Sequence, residues 1–404
     1  MRHSTFRLLG HLSSWSRVSA GLLVGCIPLA SMNAQLNRRL VAPPVVEMHD
    51  GSGTSLLVEP KYVRMTVAPN GTAFLLQPFT PVIQRFSANS GAATEIGRKG
   101  RGPGEYLLPA WMGLVADTLW IFDVGNRRTT LLPSYGAGKA TTTPFVGGVV
   151  RGAIVSSIAA LAPDGSAITT TGSDARLATI GSPPLLPLIR TSRDGSRILD
   201  TIAMLGMQHA VRTVQVGADR ATRTSEEPFS DKSLWAASPN GTFVAVVTQP
   251  DGGPAGDVSL YRYEGTRVYS ARIPFPRVAV TPADAQRILN ARYDTMLEYL
   301  GDRKNSAPSR TEFANGMYMP RFKVPVSDLV VSDDGRVALR GNDWLGDTVD
   351  YAWMTPSGAV TGIMPLPRRQ HIRVVRGSRL WSIVETDDGE LRIVRQDLAP
   401  ISNR

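Results

Sequence analysis

Residues 65–76 read Met65-Thr66-Val67-Ala68-Pro69-Asn70-Gly71-Thr72-Ala73-Phe74-Leu75-Leu76. Two apolar-alternating runs are joined there by an Asn-Gly pair. Asn-Gly between such runs is a strong hairpin signal, because both central residues of a type I′ turn need a positive φ. The segment therefore predicts two antiparallel strands joined by a tight turn.

The same pattern returns along the chain. Further copies with an Asn-Gly or Asp-Gly pair lie at residues 161–166, 237–242 and 331–336, and copies without that pair lie at 115–120 and 375–381. A second hairpin follows several of them, at residues 86–91, 191–196 and 354–359. Each unit thus contains about four strands, and the units number six.

Repeats of roughly 40–50 residues with four strands each are typical of propeller blades. A blade cannot bury both of its faces alone, and a radial arrangement covers them. We therefore predict an all-β fold, a six-bladed β-propeller of four-stranded antiparallel blades. The last unit supplies three strands only, so we expect Asn37–Met48 to provide the fourth and close the ring.

The composition excludes several other classes. The chain has 404 residues, 42% hydrophobic and 19% charged, with 38 Gly and 29 Pro spread along it. It shows no heptad and no glycine at every third position, which excludes coiled coil and collagen. The net charge of +10 comes from scattered arginines without a basic run, so we expect no nucleic-acid partner.

The N-terminus predicts export. Arg2, Arg7 and Arg17 precede the apolar stretch 18–30, which is too short to span a bilayer. We interpret residues 1–34 as a signal peptide and residues 35–404 as the propeller. Two processing sites stay open, a lipobox ending at Cys26, which would be lipidated, and cleavage after Ala34. The protein is then periplasmic, anchored to the outer membrane, or extracellular.

One stretch resembles a known repeat. It comprises Ile96-Gly97-Arg98-Lys99-Gly100-Arg101-Gly102-Pro103-Gly104-Glu105-Tyr106, Leu108-Pro109 and residues 119–128, which contain Asp123-Val124-Gly125-Asn126-Arg127-Arg128. This stretch resembles the NHL-type repeat, and its Gly-Pro-Gly-Glu-aromatic form is similar to that of exported bacterial six-bladed β-propeller proteins. The resemblance implies the fold and export, and no particular reaction.

Long segments should share one face of the ring, because strands alternate in direction. They are residues 97–109, 171–184, 205–231, 249–257 and 281–324. Loops on a rigid scaffold usually carry binding residues. We therefore predict ligand binding by the residues of the Gly-rich stretch and the turn after it: Arg98, Arg101, Glu105, Asp123, Asn126 and Arg127. The alternative is that these side chains bond their own turns.

The last long segment contains a predicted helix at about residues 281–301. Thr281 can cap it, Pro282 suits its first turn, and Ile288, Leu289, Met296, Leu297 and Leu300 form an apolar stripe before Gly301. We interpret it as a helical insertion that packs on the rim of the ring, or that serves as a lid.

No catalytic motif is present. The sequence lacks Gly-x-Ser-x-Gly and His-Glu-x-x-His, and His49, His209 and His371 lie in three distant units. The remaining chemical option is a calcium site of carboxylates and amides in the central channel. Its candidate ligands are Asp123, Asn126, Asp257, Asn342 and Asp343, with Asp174 and Glu385 also on the same face.

Two functional hypotheses follow. The first is a non-catalytic exported protein that binds a protein, peptide or carbohydrate on the face of the long loops, with no cofactor. The alternative is a calcium-dependent, lactonase-like hydrolase or lyase with the ion in the channel. Under both we expect a monomer, with a membrane contact only through a lipid on Cys26. An acidic channel mouth would favour the second hypothesis.

Overall fold

The Asn-Gly segment forms the predicted hairpin. Strands Arg64–Val67 and Ala73–Leu76 pair antiparallel, and Gly71 between them has φ +87°. The computed structural model describes residue 40 and residues 45–49, 63–77, 80–88, 93–150, 153–171, 185–206, 211–216, 221–226, 231–249, 256–301, 304, 307–315, 317, 319–342, 347–387 and 390–398. Six four-stranded antiparallel sheets in this part of the chain confirm the six-bladed β-propeller.

Each blade is a meander, with its first strand innermost. Blades 1 to 3 contain Arg64–Val67, Ala73–Leu76, Ile83–Phe86 and Ala93–Ile96, then Pro109–Val115, Thr118–Asp123, Arg128–Leu132 and Thr141–Pro144, then Ala160–Leu161, Ala167–Thr170, Leu185–Thr191 and Ile198–Gly206. Blades 4 and 5 contain Leu234–Ala237, Phe243–Thr248, Asp257–Arg262 and Arg267–Arg272, then Val326–Val331, Val337–Gly341, Thr348–Met354 and Val360–Pro367.

Blade 6 closes the ring with strands from both ends of the chain. It contains Gln370–Arg376, Arg379–Glu385 and Leu391–Asp397, and its outer strand is Val45–His49. That strand pairs antiparallel with Leu391–Asp397. The expectation that an N-terminal strand completes the last blade is confirmed, although the strand begins at Val45 and not at Asn37.

The core lies between neighbouring blades. For example, Phe74 and Leu76 of blade 1 pack on Leu114 and Ile121 of blade 2, and all four are almost fully buried. The second strand of each blade is covered on both sides, so its residues are apolar in near-continuous runs. Burial of each such side chain stabilises the fold by about 1.5–3 kcal/mol.

Four two-stranded ribbons lie outside the blades. They pair Arg98–Lys99 with Glu105–Tyr106 in parallel, and Gly148–Val150 with Ala153–Val155, Val211–Val216 with Ala221–Glu226 and Val278–Ala279 with Phe322–Lys323 in antiparallel fashion. The third ribbon corrects the prediction of an irregular segment at residues 205–231. Its alternation was hidden by polar residues on both faces.

The helical insertion follows blade 4. Its long helix, Pro282–Leu300, begins with a capping box in which the Thr281 hydroxyl and the Asp284 carboxylate bond each other's backbone N–H groups. A second helix, Arg310–Asn315, returns along it, and the rings of Tyr293 and Phe313 meet edge to face. One further helical turn spans Pro133–Gly136, with Ser134 and Tyr135 at positive φ.

The alternation of strands assigns the loops to two faces. Turns between first and second strands lie on one face, which we call the tight-turn face. Turns between second and third strands, and the connections between blades, lie on the opposite, long-loop face. The first strand of every blade therefore begins at the long-loop face, where its early residues surround the channel.

Candidate functional site

Asp123 ends the second strand of blade 2 and is fully buried. Its carboxylate accepts hydrogen bonds from the backbone N–H groups of Leu107 and Leu108, at 2.9 Å each, and of Asn126 at 3.1 Å. The Asn126 Nδ2 donates a fourth, at 2.8 Å. These bonds use the lone pairs of the carboxylate and fasten the Gly-rich stretch to the end of the strand.

Asn126 and Arg128 hold the same stretch from the other side. Asn126 Nδ2 also donates to the carbonyl oxygen of Gly100 at 2.9 Å. The Arg128 guanidinium donates to the carbonyl oxygens of Arg101, Gly102 and Glu105. In this chain, Asp123, Asn126 and Arg128 of the NHL-like stretch therefore stabilise the backbone of the Gly-rich segment through hydrogen bonds.

The other predicted ligand-binding residues also contact this stretch or its neighbour. Glu105 pairs with Arg98 at 2.7 Å and accepts from the Gly102 N–H at 2.7 Å. The Gly102 bond, with the Arg98 guanidinium second, lowers the pKa of Glu105. Arg127 donates to the carbonyl oxygen of Val146, and Arg101 is exposed. The structure thus brings all six together around one loop.

The remaining candidate calcium ligands lie in other blades. Asp257 begins the third strand of blade 4 and lies 3.5 Å from Arg272. Asn342 follows the second strand of blade 5 and lines a separate cavity of about 470 Å³ beside Phe275 and Lys323. Asp174 and Asp343 lie outside the described residues. The described part of the chain contains no group of three or more His, Cys, Asp or Glu placed to hold a metal.

The central channel is a cavity of about 650 Å³. All six blades contribute, through residues 63–66, 111–113, 159–161, 234–239, 327–331 and 371, 373–374, together with Trp120, Lys232 and Arg340. The wall is apolar along most of the first strands, with Trp111 and Trp235 as its largest half-buried side chains. Charged side chains gather where the first strands begin.

Arg64 is the first residue of the first strand of blade 1, and it lines the channel. Its guanidinium carbon lies 4.0 Å from the centre of the Trp111 ring in blade 2, a cation–π contact. Its Nε is buried and has no hydrogen-bond partner among the described residues. Burial, and next the charge of Arg373, lower the pKa of Arg64 to about 10.

Arg373 and Asp328 form an ion pair between blades 6 and 5. Arg373 Nη1 lies 3.0 Å from Asp328 Oδ2, and the two side chains are 11% and 31% exposed. Asp328 opposes the effect of Arg373 on Arg64, since its charge raises the pKa of Arg64. One carboxylate thus serves two arginines.

Three further groups complete this end of the channel. Arg340 donates to Ser327 Oγ at 3.2 Å and to the carbonyl oxygen of Arg368 at 3.0 Å. Lys232 lines the cavity just before the first strand of blade 4, and His371 lines it two residues before Arg373. The described lining therefore holds four cationic side chains, one histidine and one carboxylate.

Polar links join three blades at the tight-turn face. Arg376 of blade 6 pairs with Asp333 in the inner turn of blade 5 at 2.6 Å. Asp333 Oδ1 also accepts from the backbone N–H of Asn240 in the inner turn of blade 4, at 2.9 Å. These links fix the inner turns relative to one another, so they stiffen the floor of the channel.

The donor set of the channel does not fit calcium. Calcium takes six to eight oxygen ligands, several of them carboxylates. Among the described lining residues Asp328 is the one carboxylate, and Arg373 already pairs with it. The cationic lining suits an anion, and His371 is a group that can transfer protons near neutral pH.

Sequence reasoning overlooked most of this cluster. It named His371 only as a member of an unconvincing three-histidine set, and it passed over Arg64, Asp328 and Arg373. One signal was available, since an arginine at the start of a predicted innermost strand must face either the channel or a neighbouring blade. Arg64 has that position in Arg64-Met65-Thr66-Val67, whereas Arg373 lies in the middle of the innermost strand at residues 370–376.

No protein-family model and no curated protein matches the chain. Solved structures do match. A gluconolactonase of Xanthomonas campestris is 12% identical, with TM-score 0.42, over 88% of this chain and 98% of that one. Regucalcin, a calcium-binding protein of Agrobacterium tumefaciens, is 11% identical, with TM-score 0.41, over 90% and 98%. A PQQ-bound aldose sugar dehydrogenase of Streptomyces coelicolor is 13% identical, with TM-score 0.39, over 88% and 99%.

These findings correct the first functional hypothesis. Of the three matched structures reported above, the gluconolactonase and the dehydrogenase are enzymes. The expectation of a non-catalytic binding protein is therefore wrong. It relied on the lack of a catalytic motif in the sequence. Among the described residues no helix is long and apolar enough to span a membrane.

Proposed function

We propose that the protein is a hydrolase or lyase of the lactonase-like kind, with its active site in the central channel. The observation that supports it is the charged end of the channel. His371 lines the same cavity as Arg64, Arg340 and Arg373. A group able to transfer a proton thus lies among groups able to stabilise negative charge.

The chemistry of ring opening requires both kinds of group. Water adds to the carbonyl carbon of a lactone, and the ring C–O bond breaks. The water loses a proton and the leaving alkoxide gains one, so a single histidine can accept and then return it. The carbonyl oxygen gains negative charge on the way, which a guanidinium nearby stabilises. In this proposal His371 moves the proton, and an arginine of the same lining stabilises the charge on the oxygen.

Calcium has no part in the proposal, because one paired carboxylate is a poor calcium site. The test uses the full-length protein with five- and six-membered lactones and a nitrophenyl ester, before and after EDTA. We expect turnover of at least one compound above its uncatalysed rate, unchanged by EDTA. Turnover of none, or a loss to EDTA that calcium restores, would contradict the proposal.

We also propose that the protein is exported and belongs with the exported bacterial propellers. The basic segment before the apolar stretch 18–30 supports export. Mass spectrometry of the secreted or membrane fraction identifies the mature N-terminus. A diacylated Cys26 would establish a lipid anchor, and Gln35 would establish a free protein. An N-terminus at Met1 in the cytosol would contradict export.

A further inference from the structure

We propose that Arg64 and Arg373 together bind the carboxylate or phosphate of a small anionic ligand in the channel. The proposed function makes that ligand the substrate, so this part of the inference rests on the proposed function. The anion site itself rests on the geometry of the arginines alone.

Arg64 is held in place for a ligand. Its stacking on Trp111 fixes the plane of the guanidinium over an indole of the next blade. The buried Nε carries a hydrogen that no described residue accepts. Buried polar groups are nearly always hydrogen-bonded, so this N–H is available to an acceptor that the described residues do not supply.

Arg373 is the second half of the site. Its Nη1 contacts Asp328 Oδ2, and the two side chains are mostly buried. Arg373 lines the same cavity as Arg64, and its charge lowers the pKa of Arg64. Two buried like charges oppose folding unless negative charge compensates them, and Asp328 is the one carboxylate among the described lining residues.

The other charged side chains of the cavity lining also favour binding of an anion. Lys232 and Arg340 line the same cavity, and the described lining holds no second carboxylate. An arginine fork binds a carboxylate or a phosphate through two parallel N–H···O bonds, which favours a planar or tetrahedral oxyanion over chloride. The cavity of about 650 Å³ accommodates a small organic anion.

The test is a titration of the full-length protein at constant ionic strength. The probes are succinate, inorganic phosphate and neutral succinamide, followed by calorimetry. We expect saturable binding of succinate or phosphate and none of succinamide. The tighter of the two anions identifies the group that the site takes. If neither succinate nor phosphate binds saturably, the inference is wrong.

Two substitutions locate the site. Arg64→Gln should weaken binding of the preferred anion by at least about tenfold, because it removes a charge and a fork. Arg64→Lys keeps the charge and loses the fork, so we expect an intermediate affinity. Arg267→Gln is the control, since Arg267 is exposed on the outermost strand of blade 4. Equal binding by wild type and Arg64→Gln would place the anion elsewhere.

The outcome separates this inference from the proposed function. Anion binding that depends on Arg64, without turnover of any lactone or ester, would support the anion site and contradict the proposed enzymatic activity. If neutral lactones are turned over and neither succinate nor phosphate inhibits the reaction, the enzymatic activity is supported and the anion site is contradicted.

Discussion

The carboxylate of Asp123 accepts four hydrogen bonds in a buried position, three of them from backbone N–H groups. In Asp123→Asn one oxygen becomes an NH₂ group that faces donors. We expect the free energy of unfolding to fall by about 3 kcal/mol. Asp117→Asn, in an exposed turn, should change it by less than about 0.5 kcal/mol. Urea unfolding measures both, and equal values would show that Asp123 has no fastening role.

Gly241 shows how closely the inner turns approach the next blade. It has φ +69°, and a Cβ there would lie 1.9 Å from the backbone oxygen of Leu161 in blade 3. Gly377 also has a positive φ, +56°, but a Cβ there would contact nothing within 4 Å. Both glycines lie in turns between the first and second strands of a blade. A comparison of the two therefore distinguishes the effect of backbone strain within a turn from the effect of a clash between blades.

We therefore expect Gly241→Ala to destabilise the protein far more than Gly377→Ala. The second substitution introduces only an unfavourable φ, worth about 1 kcal/mol. The first adds a backbone clash, which requires blades 3 and 4 to move apart. Thermal unfolding of the two variants measures the difference, and equal midpoints would contradict the close packing of the turns.

At the level of single residues, local roles were easier to predict than the channel. Asp123 and Asn126 lie in a turn whose sequence already indicated side-chain bonds to nearby backbone, and such bonds are present. Arg64 and Arg373 are 309 positions apart in the chain. Their approach depends on closure of the ring, which no local pattern encodes.

The long helix depends on a charged cap. Bonds from the Thr281 hydroxyl and, next, from Lys323 lower the pKa of Asp284 from 3.8 to about 2. A carboxyl whose pKa is lower in the folded state stabilises it above the unfolded pKa and loses that effect as the pH falls. The contribution of Asp284 should therefore be present at neutral pH and vanish between about pH 5 and pH 2.

The comparison of wild type with Asp284→Asn tests this cap. At neutral pH we expect the variant to unfold at a lower temperature, because it lacks the charge that Lys323 and the helix N-terminus favour. As the pH falls towards about 2, the two midpoints should converge. A difference in midpoint that is constant from neutral to acid pH would show that the carboxylate charge does not stabilise the cap.

The strands and turns of the blades were largely predictable. Alternating apolar runs are a local signal that marked all six inner hairpins, and five of their turns contain a glycine. The hairpin at residues 211–226 escaped because both of its strands, Val211–Val216 and Ala221–Glu226, are rich in polar residues. The prediction relied on apolar alternation, which is weak in these two strands.

The whole ring is held by the pairing of Val45–His49 with Leu391–Asp397. Deletion of residues 45–49 should leave blade 6 with three strands and expose an unpaired edge. We expect a lower unfolding midpoint and concentration-dependent association, measured by thermal unfolding and light scattering. A deletion variant as stable and as monodisperse as wild type would show that the N-terminal strand does not close the ring.

The architecture explains why function was harder to predict than fold. Each blade repeats a local pattern, and the number of repeats gives the ring. The channel is lined by at least three residues from every blade, and the apolar runs of the strands do not indicate which side chains face the axis. Such a channel can be recognised only from a structure that contains all six blades.

The most direct test of catalysis in the channel is kcat/KM for one lactone substrate with wild type and His371→Gln. Because His371 is proposed to move the proton, we predict a fall in kcat of about 100-fold or more, with KM within about threefold of wild type. Arg267→Gln, outside the channel, should match wild type. An unchanged kcat in His371→Gln, or the same loss in both variants, would contradict an active site in the channel.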